Sequence, residues 1–115
     1  QRQMCIRDRD TLVVFTSDNG GERFSHMGPF SHRKMTVGEG GIRVAAALRW
    51  PARVAAGTRS AQVATTMDWT ATILAAAGRR ATRPLDGIDL MPALSGGALT
   101  ERELFWRVTQ RRQQK

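Results

Sequence analysis

The sequence predicts an α/β fold, and three segments taken in chain order support that prediction. Thr11–Ser17 is a β-branched and aromatic run, apolar almost throughout, as expected of a strand buried on both faces of a parallel sheet. Ile42–Trp50 resembles a second strand closed by Pro51, although its alanines weaken the strand propensity. Met67–Ala77 has the apolar spacing of an amphipathic helix. Strands followed by a helix are typical of α/β domains.

The first predicted strand ends in Asp18–Gly21, a strong turn signal. In open α/β sheets, ligands bind just beyond the carboxyl ends of the strands, which is where Asp18 and Asn19 fall. A carboxylate and an amide carbonyl are oxygen ligands that Ca²⁺ or Mg²⁺ can use, but Ca²⁺ takes six or more oxygens, so this pair cannot form a closed site. An ordinary Asn-Gly turn is the alternative explanation.

The next segment, Glu22–Thr36, shows no periodicity and predicts a long loop, a kind of loop that is often functional. Thr65 or Thr66 can cap the predicted helix, and Asp68 lies in its first turn, where a negative charge favours the helix dipole. Gly78 is placed as the residue after the helix cap. The residues expected on one apolar face of this helix are Trp69, Ile73, Leu74 and Ala77.

The last third of the chain predicts a turn and a short helical segment over Asp86–Leu94, and a strand over Leu104–Val108. In this reading Asp68, Asp86 and Asp89 are cap and turn residues. No internal repeat or low-complexity linker divides the chain.

The composition limits which binding partners are expected. The chain has 115 residues and a formal net charge of +8, which suggests a basic binding module. Its arginines are scattered, however, and no aromatic residues interleave with the basic cluster Arg107–Arg112, as a base-stacking surface would require. Nucleic acid is therefore not an expected partner. The single cysteine, Cys5, permits no internal disulfide, and no apolar run approaches the roughly 20 residues of a membrane span.

The first residues have an unusual explanation. Met4–Arg9 matches the translation of a transposase mosaic-end adapter, so residues 1–9 are predicted to be a non-native leader, with native sequence starting near Asp10. An ordinary polar leader is the alternative. In the first case Cys5 has no function.

Several short motifs, in order, closely resemble the sulfatase family of the alkaline phosphatase superfamily. They are Phe15–Gly21, Lys34, Glu39–Val44, Arg49–Pro51, Thr66–Asp68, Leu85–Leu90 and Leu104–Arg107. Each motif alone is weak, but together they cover essentially Thr11 to Arg107. The resemblance implies an alkaline-phosphatase-like sheet with flanking helices, of which this chain holds only C-terminal strands and a helix. Residues 10–100 would belong to the catalytic domain, and residues 101–115 would begin a truncated C-terminal subdomain.

The resemblance also implies site residues. Sulfatases hydrolyse sulfate esters with a formylglycine made from the Cys or Ser of a C/S-x-P-x-R motif, and one Ca²⁺ holds the sulfate oxygens. Asp18 and Asn19 match two metal ligands of the family, and Lys34 matches its sulfate-contacting lysine. A lysine can stabilise the charge that builds on sulfate and leaving-group oxygens. A solvated loop lysine is the alternative.

His32 and His26 lie in the same predicted loop, and either could donate a proton to the leaving group, since imidazole titrates near neutrality. The family more often has glycine two residues before the lysine, which favours an incidental role for His32. Glu39 and Arg43 are expected to orient the loop. Two further departures, Gly38 for an aromatic residue and Ala45 for a proline, are expected to affect only the rim of the cleft.

No C/S-x-P-x-R motif occurs in this sequence, so the formylglycine is expected in a preceding segment. The isolated chain is accordingly expected to be inactive and to bind Ca²⁺ poorly. A sulfate-ester small molecule or a sulfated glycan is the expected substrate. A phosphodiesterase or phosphonate monoester hydrolase of the same superfamily and a basic non-enzymatic binding module are the alternatives. Localisation and oligomeric state are not determined, although the resemblance implies a periplasmic or secreted protein.

Overall fold

A computed structural model describes residues 8–109, so residues 1–7 of the predicted leader and residues 110–115 of the predicted subdomain lie outside the described part. The elements, in chain order, are β1 (Val13–Thr16), α1 (Glu39–Ile42), β2 (Ala46–Arg49), α2 (Thr66–Ala76) and α3 (Met91–Leu94). Among the described residues, no helix has both the length and the apolar character that crossing a bilayer requires.

The described residues divide into two compact units. One contains residues 14–48 and 102–109, and the other contains residues 8–13 and 49–101. The first unit holds most of the two-stranded sheet, the turn after β1 and helix α1. The second unit holds α2 and α3.

Strand β1 pairs with β2 in a two-stranded sheet. Successive side chains of a strand point to opposite faces, and along β1 they alternate between exposed and half-buried. Val13 is 48% exposed and Phe15 is 71% exposed. The prediction of a strand buried on both faces is therefore wrong for the described residues, because the side of β1 that carries Val13 and Phe15 is largely exposed.

The second strand is shorter than the sequence predicts. Its first expected residue, Ile42, closes α1 instead, and Arg43 has extended backbone, with its N–H donating to the Glu39 carbonyl at 2.8 Å. Strand geometry begins only at Ala46. The helical turn of α1 contains two glycines, which have low helix propensity, so tertiary contacts rather than propensity must hold it in place.

Helix α2 confirms the predicted helix to within one residue at each end. Thr65 is its N-cap, and the Thr65 N–H donates to Asp68 Oδ2 at 2.7 Å. At the other end Gly78 has φ +64°, and the N–H groups of Gly78 and Arg79 donate to the carbonyls of Ala75 and Leu74. That pattern is a Schellman motif, which needs a left-handed residue and so favours glycine there.

The buried positions of α2 differ from the predicted apolar face. The fully buried residues are Asp68 and Thr72, whereas Ile73 is 49% exposed. The Thr72 hydroxyl donates to the Asp68 carbonyl at 2.7 Å and accepts from the Leu90 N–H at 2.9 Å. Asp68 Oδ1 accepts from the Ile88 N–H at 2.9 Å. A polar stripe therefore joins α2 to the segment before α3.

The same segment approaches α2 closely at Gly87, where any Cβ would collide with the Met67 carbonyl oxygen and lie 2.8 Å from the Asp68 nitrogen. Asp89 lies in the turn before α3, where its Oδ1 accepts from the Met91 N–H at 2.9 Å. The predicted turn and short helix are thus present, and Asp68 and Asp89 serve as cap and turn residues.

The predicted strand Leu104–Val108 is wrong. Residues 101–109 have no regular secondary structure, and Phe105 is 85% exposed. Its apolar and β-branched residues have the propensity for a strand, but a strand also needs a neighbouring strand to supply its backbone hydrogen bonds.

Candidate functional site

The Asp18–Gly21 turn follows β1 directly and is held by its own polar groups. The Ser17 hydroxyl donates to the Asn19 carbonyl at 2.9 Å, and Asn19 Nδ2 donates to the Gly20 carbonyl at 2.8 Å. Asp18 is exposed, and within the described residues its carboxylate has no hydrogen bond or ion pair. The turn therefore presents an exposed carboxylate beside an amide whose Nδ2 donates to the Gly20 carbonyl, so Asn19 Oδ1 is the amide atom that could accept a cation.

Helix α1 is joined to this turn by a backbone hydrogen bond. The Gly20 N–H donates to the Gly41 carbonyl at 2.8 Å, and Gly20, Gly40 and Gly41 are all buried. A Cβ on Gly20 would collide with the Gly40 carbonyl oxygen and lie 2.8 Å from the Gly41 carbonyl carbon. Close backbone contact, which only glycine permits, thus explains Gly20, Gly40 and Gly41, whereas a Cβ on Gly21 would meet the Met27 side chain.

Replacing Gly20 with alanine is expected to destabilise the protein by about 2–4 kcal/mol, because the new methyl group must displace buried backbone. Thermal unfolding measures the loss. Gly57→Ala is the control, since no atom lies within 4 Å of its Cβ position and only its φ of +76° opposes the change. Equal losses in the two variants would show that the contact between the turn and α1 is not tight.

Lys34 is brought to the same turn. Its N–H donates to the Gly21 carbonyl at 2.9 Å, so the backbone of the lysine segment is joined to the turn that carries Asp18 and Asn19. Its ammonium group lies 3.3 Å from Glu22 Oε2, with the side chains of Lys34 and Glu22 41% and 68% exposed. The structure thus joins, in one unit, the segments of three residues predicted to form the site.

The loop between the turn and α1, residues 22–38, contains turns but no helix or strand, as predicted. The Gly40 N–H donates to the Ser31 carbonyl at 2.8 Å, and the Thr36 hydroxyl donates to the Arg33 carbonyl at 2.6 Å. The Gly21 N–H lies 3.1 Å from the Met27 sulfur. These contacts hold the loop at both ends and in its middle. The backbone of Lys34 is therefore held by the loop itself and not by contacts of the Lys34 side chain.

Glu39 and Arg43 form an ion pair at 2.9 Å across one turn of chain. The Arg43 guanidinium also lies over the Phe30 ring, 4.6 Å from its centroid. Arginine stacked on an aromatic face is a weak attraction at an exposed site. The two contacts connect α1 with the middle of the loop and agree with an orienting rather than a chemical role for both charged residues.

His32 has φ +72°, a left-handed conformation that glycine adopts most easily. Its ring lies against Gly38, where a Cβ would be 2.8 Å from Nδ1, and Nδ1 is 3.3 Å from the Ser31 hydroxyl. The imidazole thus occupies the space that a side chain at position 38 would need, which explains why His32 and Gly38 occur together. His26 is exposed and its ring lies near Gly28.

The described residues fit part of a metal site but not a whole one. No group of three or more His, Cys, Asp or Glu side chains comes together among residues 8–109 in a way that could hold an ion. Asp18 and Asn19 could provide one charged and one neutral oxygen ligand, of the kind that a hard divalent cation takes. Two ligands do not complete a Ca²⁺ site, which takes six to eight oxygens.

Sequence comparisons agree with this arrangement. The sequence model of the Sulfatase family matches residues 6–79. N-acetylgalactosamine-6-sulfatase of Canis lupus familiaris is 43% identical over 105 residues, covering 84% of this chain and 20% of the relative. Arylsulfatase A of Bos taurus is 39% identical over 103 residues, with the same coverage. Steryl-sulfatase of Homo sapiens is 39% identical over 99 residues, covering 76% and 17%.

This chain belongs to the sulfatase family. The resemblance inferred from its motifs is therefore confirmed, and family membership implies an α/β fold of the alkaline-phosphatase type and a metal-ion cofactor. The small sheet with helices is consistent with that fold. The chain spans about a fifth of the length of the first curated relatives that it matches.

Proposed function

We propose that this chain supplies half of the metal- and sulfate-binding site of a sulfuric ester hydrolase. The observation that supports this most directly is the 2.9 Å hydrogen bond from the Lys34 N–H to the Gly21 carbonyl. It joins the lysine segment to the Asp18–Gly21 turn, inside the region that the family model matches. Metal ligands and an anion-binding cation must be neighbours if both are to act on one sulfate group.

The proposed metal ligands are Asp18 and Asn19, and the proposed ion is one Ca²⁺. Oxygen ligands of mixed charge suit Ca²⁺, which takes six to eight of them at flexible positions. When bound, the ion would supply positive charge against the sulfate oxygens. Asp18 is suited to this because it is exposed and unpaired among the described residues, so binding a cation breaks no existing interaction there.

The proposed role of Lys34 is to bind a sulfate oxygen. Its backbone is anchored at the turn, while its side chain is 41% exposed and so remains accessible to a substrate anion. An ammonium group placed where charge develops lowers the barrier of the reaction without a proton transfer. A formylglycine nucleophile, expected outside this sequence, completes the proposed chemistry. His32 is a candidate proton donor to the leaving group, and its ring packs against Gly38.

The test is hydrolysis of an aryl sulfate by a full-length protein that carries this chain together with a C/S-x-P-x-R motif. We expect turnover that requires a divalent cation and is lost on chelation. Absence of any sulfate-ester hydrolysis in a folded, formylglycine-containing protein would contradict the proposal. The 115-residue chain alone is expected to be inactive. The comparisons favour none of the alternative functions, which are a phosphodiesterase, a phosphonate hydrolase and a basic binding module.

Replacing Lys34 with alanine is expected to lower kcat/KM for an aryl sulfate by about 10²-fold, the usual loss when one charge-stabilising donor is removed. Steady-state kinetics measure the change. Arg33→Ala is the matched control, because Arg33 is an exposed cation next in sequence. We expect the control to lose less than about threefold, the effect of an exposed charge. Similar losses in both variants would assign the effect to net charge rather than to Lys34.

A further inference from the structure

Glu22 was not singled out by the sequence, yet it has the ion pair closest to the proposed chemistry. Its Oε2 lies 3.3 Å from the Lys34 ammonium. Its only signal in the sequence is position: it follows Gly21, the residue whose carbonyl accepts from the Lys34 N–H. A carboxylate beside the lysine that binds a substrate anion is an unexpected arrangement, because it opposes the anion that the lysine is meant to attract.

The backbone of Glu22 is held in the loop by hydrogen bonds. The Glu22 N–H donates to the Ser25 hydroxyl at 3.2 Å, and its carbonyl accepts from the Ser25 N–H at 2.9 Å. The backbone at Glu22 is therefore held by a turn on one side and by the bond between Lys34 and Gly21 on the other. Both residues of the ion pair are anchored through their backbones.

We propose that Glu22 is a specificity-determining residue that makes the site prefer a singly charged sulfate ester to a doubly charged phosphate ester. This inference rests on the proposed function of Lys34. A carboxylate at 3.3 Å offsets part of the positive charge of the ammonium group as felt by an incoming anion. The remaining repulsion from Glu22 scales with the charge of the ligand, so it penalises a dianion about twice as much as a monoanion.

The two ester classes differ in this respect. A sulfate monoester carries one negative charge, whereas a phosphate monoester carries about −1.5 to −2 at pH 7. Their tetrahedral groups have similar size and the same oxygen geometry, so shape separates them poorly. Charge is the property by which a site of this kind can choose, and a carboxylate paired with the binding lysine lets it choose against the dianion.

The experiment compares 4-nitrophenyl sulfate with 4-nitrophenyl phosphate as substrates of the full-length enzyme at pH 7 to 8. In Glu22→Gln, which keeps the size of the side chain, kcat/KM for the phosphate relative to the sulfate is expected to rise about two- to fivefold, the range of an exposed charge pair. Glu101→Gln is the control, since Glu101 is exposed and has no ion pair within the described residues. It should leave the ratio unchanged.

A second pair of variants separates charge selection from structural support. With Lys34→Ala in the background, Glu22→Gln is still expected to raise the ratio, because the carboxylate repels the anion directly. If Glu22 only held the loop, Glu22→Gln would lower both activities equally and leave the ratio unchanged, which overturns the inference. An unchanged ratio with normal sulfate hydrolysis leaves the proposed function standing. Loss of sulfate hydrolysis in the unaltered enzyme contradicts the proposed function instead.

Discussion

Asp18→Ala is expected to abolish sulfate-ester hydrolysis by the full-length enzyme, with kcat/KM falling by at least about 10³-fold, since even outer-shell partners of a metal site are worth 10–100-fold. In the proposed site, Asp18 is the only charged metal ligand among the described residues. Its removal would leave the neutral Asn19 carbonyl, and a neutral oxygen alone attracts a divalent cation weakly. The activity is measured with an aryl sulfate at several Ca²⁺ concentrations.

The structure supplies the control for this variant. Asp10 is an exposed aspartate outside the proposed site, and Asp10→Ala is expected to keep nearly full activity. Because the Asp18 side chain makes no contact with another described residue through a hydrogen bond or ion pair, Asp18→Ala should unfold at the same temperature as the unaltered protein. Full activity in Asp18→Ala at low Ca²⁺ would refute the metal assignment, and a lowered unfolding temperature would show that Asp18 is structural.

Asp68→Ala is expected to destabilise the protein by about 3–5 kcal/mol, because two partly buried N–H groups lose their acceptor and each such loss costs about 1–3 kcal/mol. Asp68 is fully buried, and its two carboxylate oxygens accept from the N–H groups of Thr65 and Ile88. One side chain therefore caps α2 and also holds the segment before α3. The free energy of unfolding is measured by thermal or urea denaturation.

Asp86→Ala is the matched control for this prediction, since Asp86 is exposed and lies two residues before Ile88, whose N–H donates to Asp68. It should change stability by less than about 0.5 kcal/mol. The loss of stability in Asp68→Asn should fall between those of the two alanine variants, at about 1–3 kcal/mol. The amide keeps one acceptor oxygen, but its NH₂ group has no acceptor at that position. Equal stability of Asp68→Ala and Asp86→Ala would show that the carboxylate does not support α2.

Much of the fold could be predicted where the signal is local. Helix α2 was predicted to within a residue because its cap, its first-turn acid and its terminal glycine are all adjacent in sequence. The loop of residues 22–38 was predicted from the same kind of local signal, the absence of periodicity. The turn at Asp18–Gly21 was predicted because Asn-Gly specifies its own backbone geometry.

Prediction failed where the partner of a segment decides its structure. Leu104–Val108 has strand propensity but no regular structure, and Phe15 has strand structure but is 71% exposed. Burial and pairing are properties of two segments, so one segment's composition cannot specify them. The buried stripe of α2 shows the same limit: Thr72 was overlooked because a threonine on a helix signals nothing until its hydroxyl meets the Leu90 N–H.

The site likewise has features that the sequence predicts and features that only the tertiary structure decides. The sequence alone identified the family, the pair Asp18 and Asn19 as proposed ligands and Lys34 as the proposed sulfate contact, because these are motifs of short range whose order along the chain is itself information. Only the tertiary structure joined Lys34 to Gly21, packed Gly20 against Gly40 and set Glu22 beside the lysine. Those contacts arise where separate segments meet in space, and their energies depend on distances that no linear pattern contains.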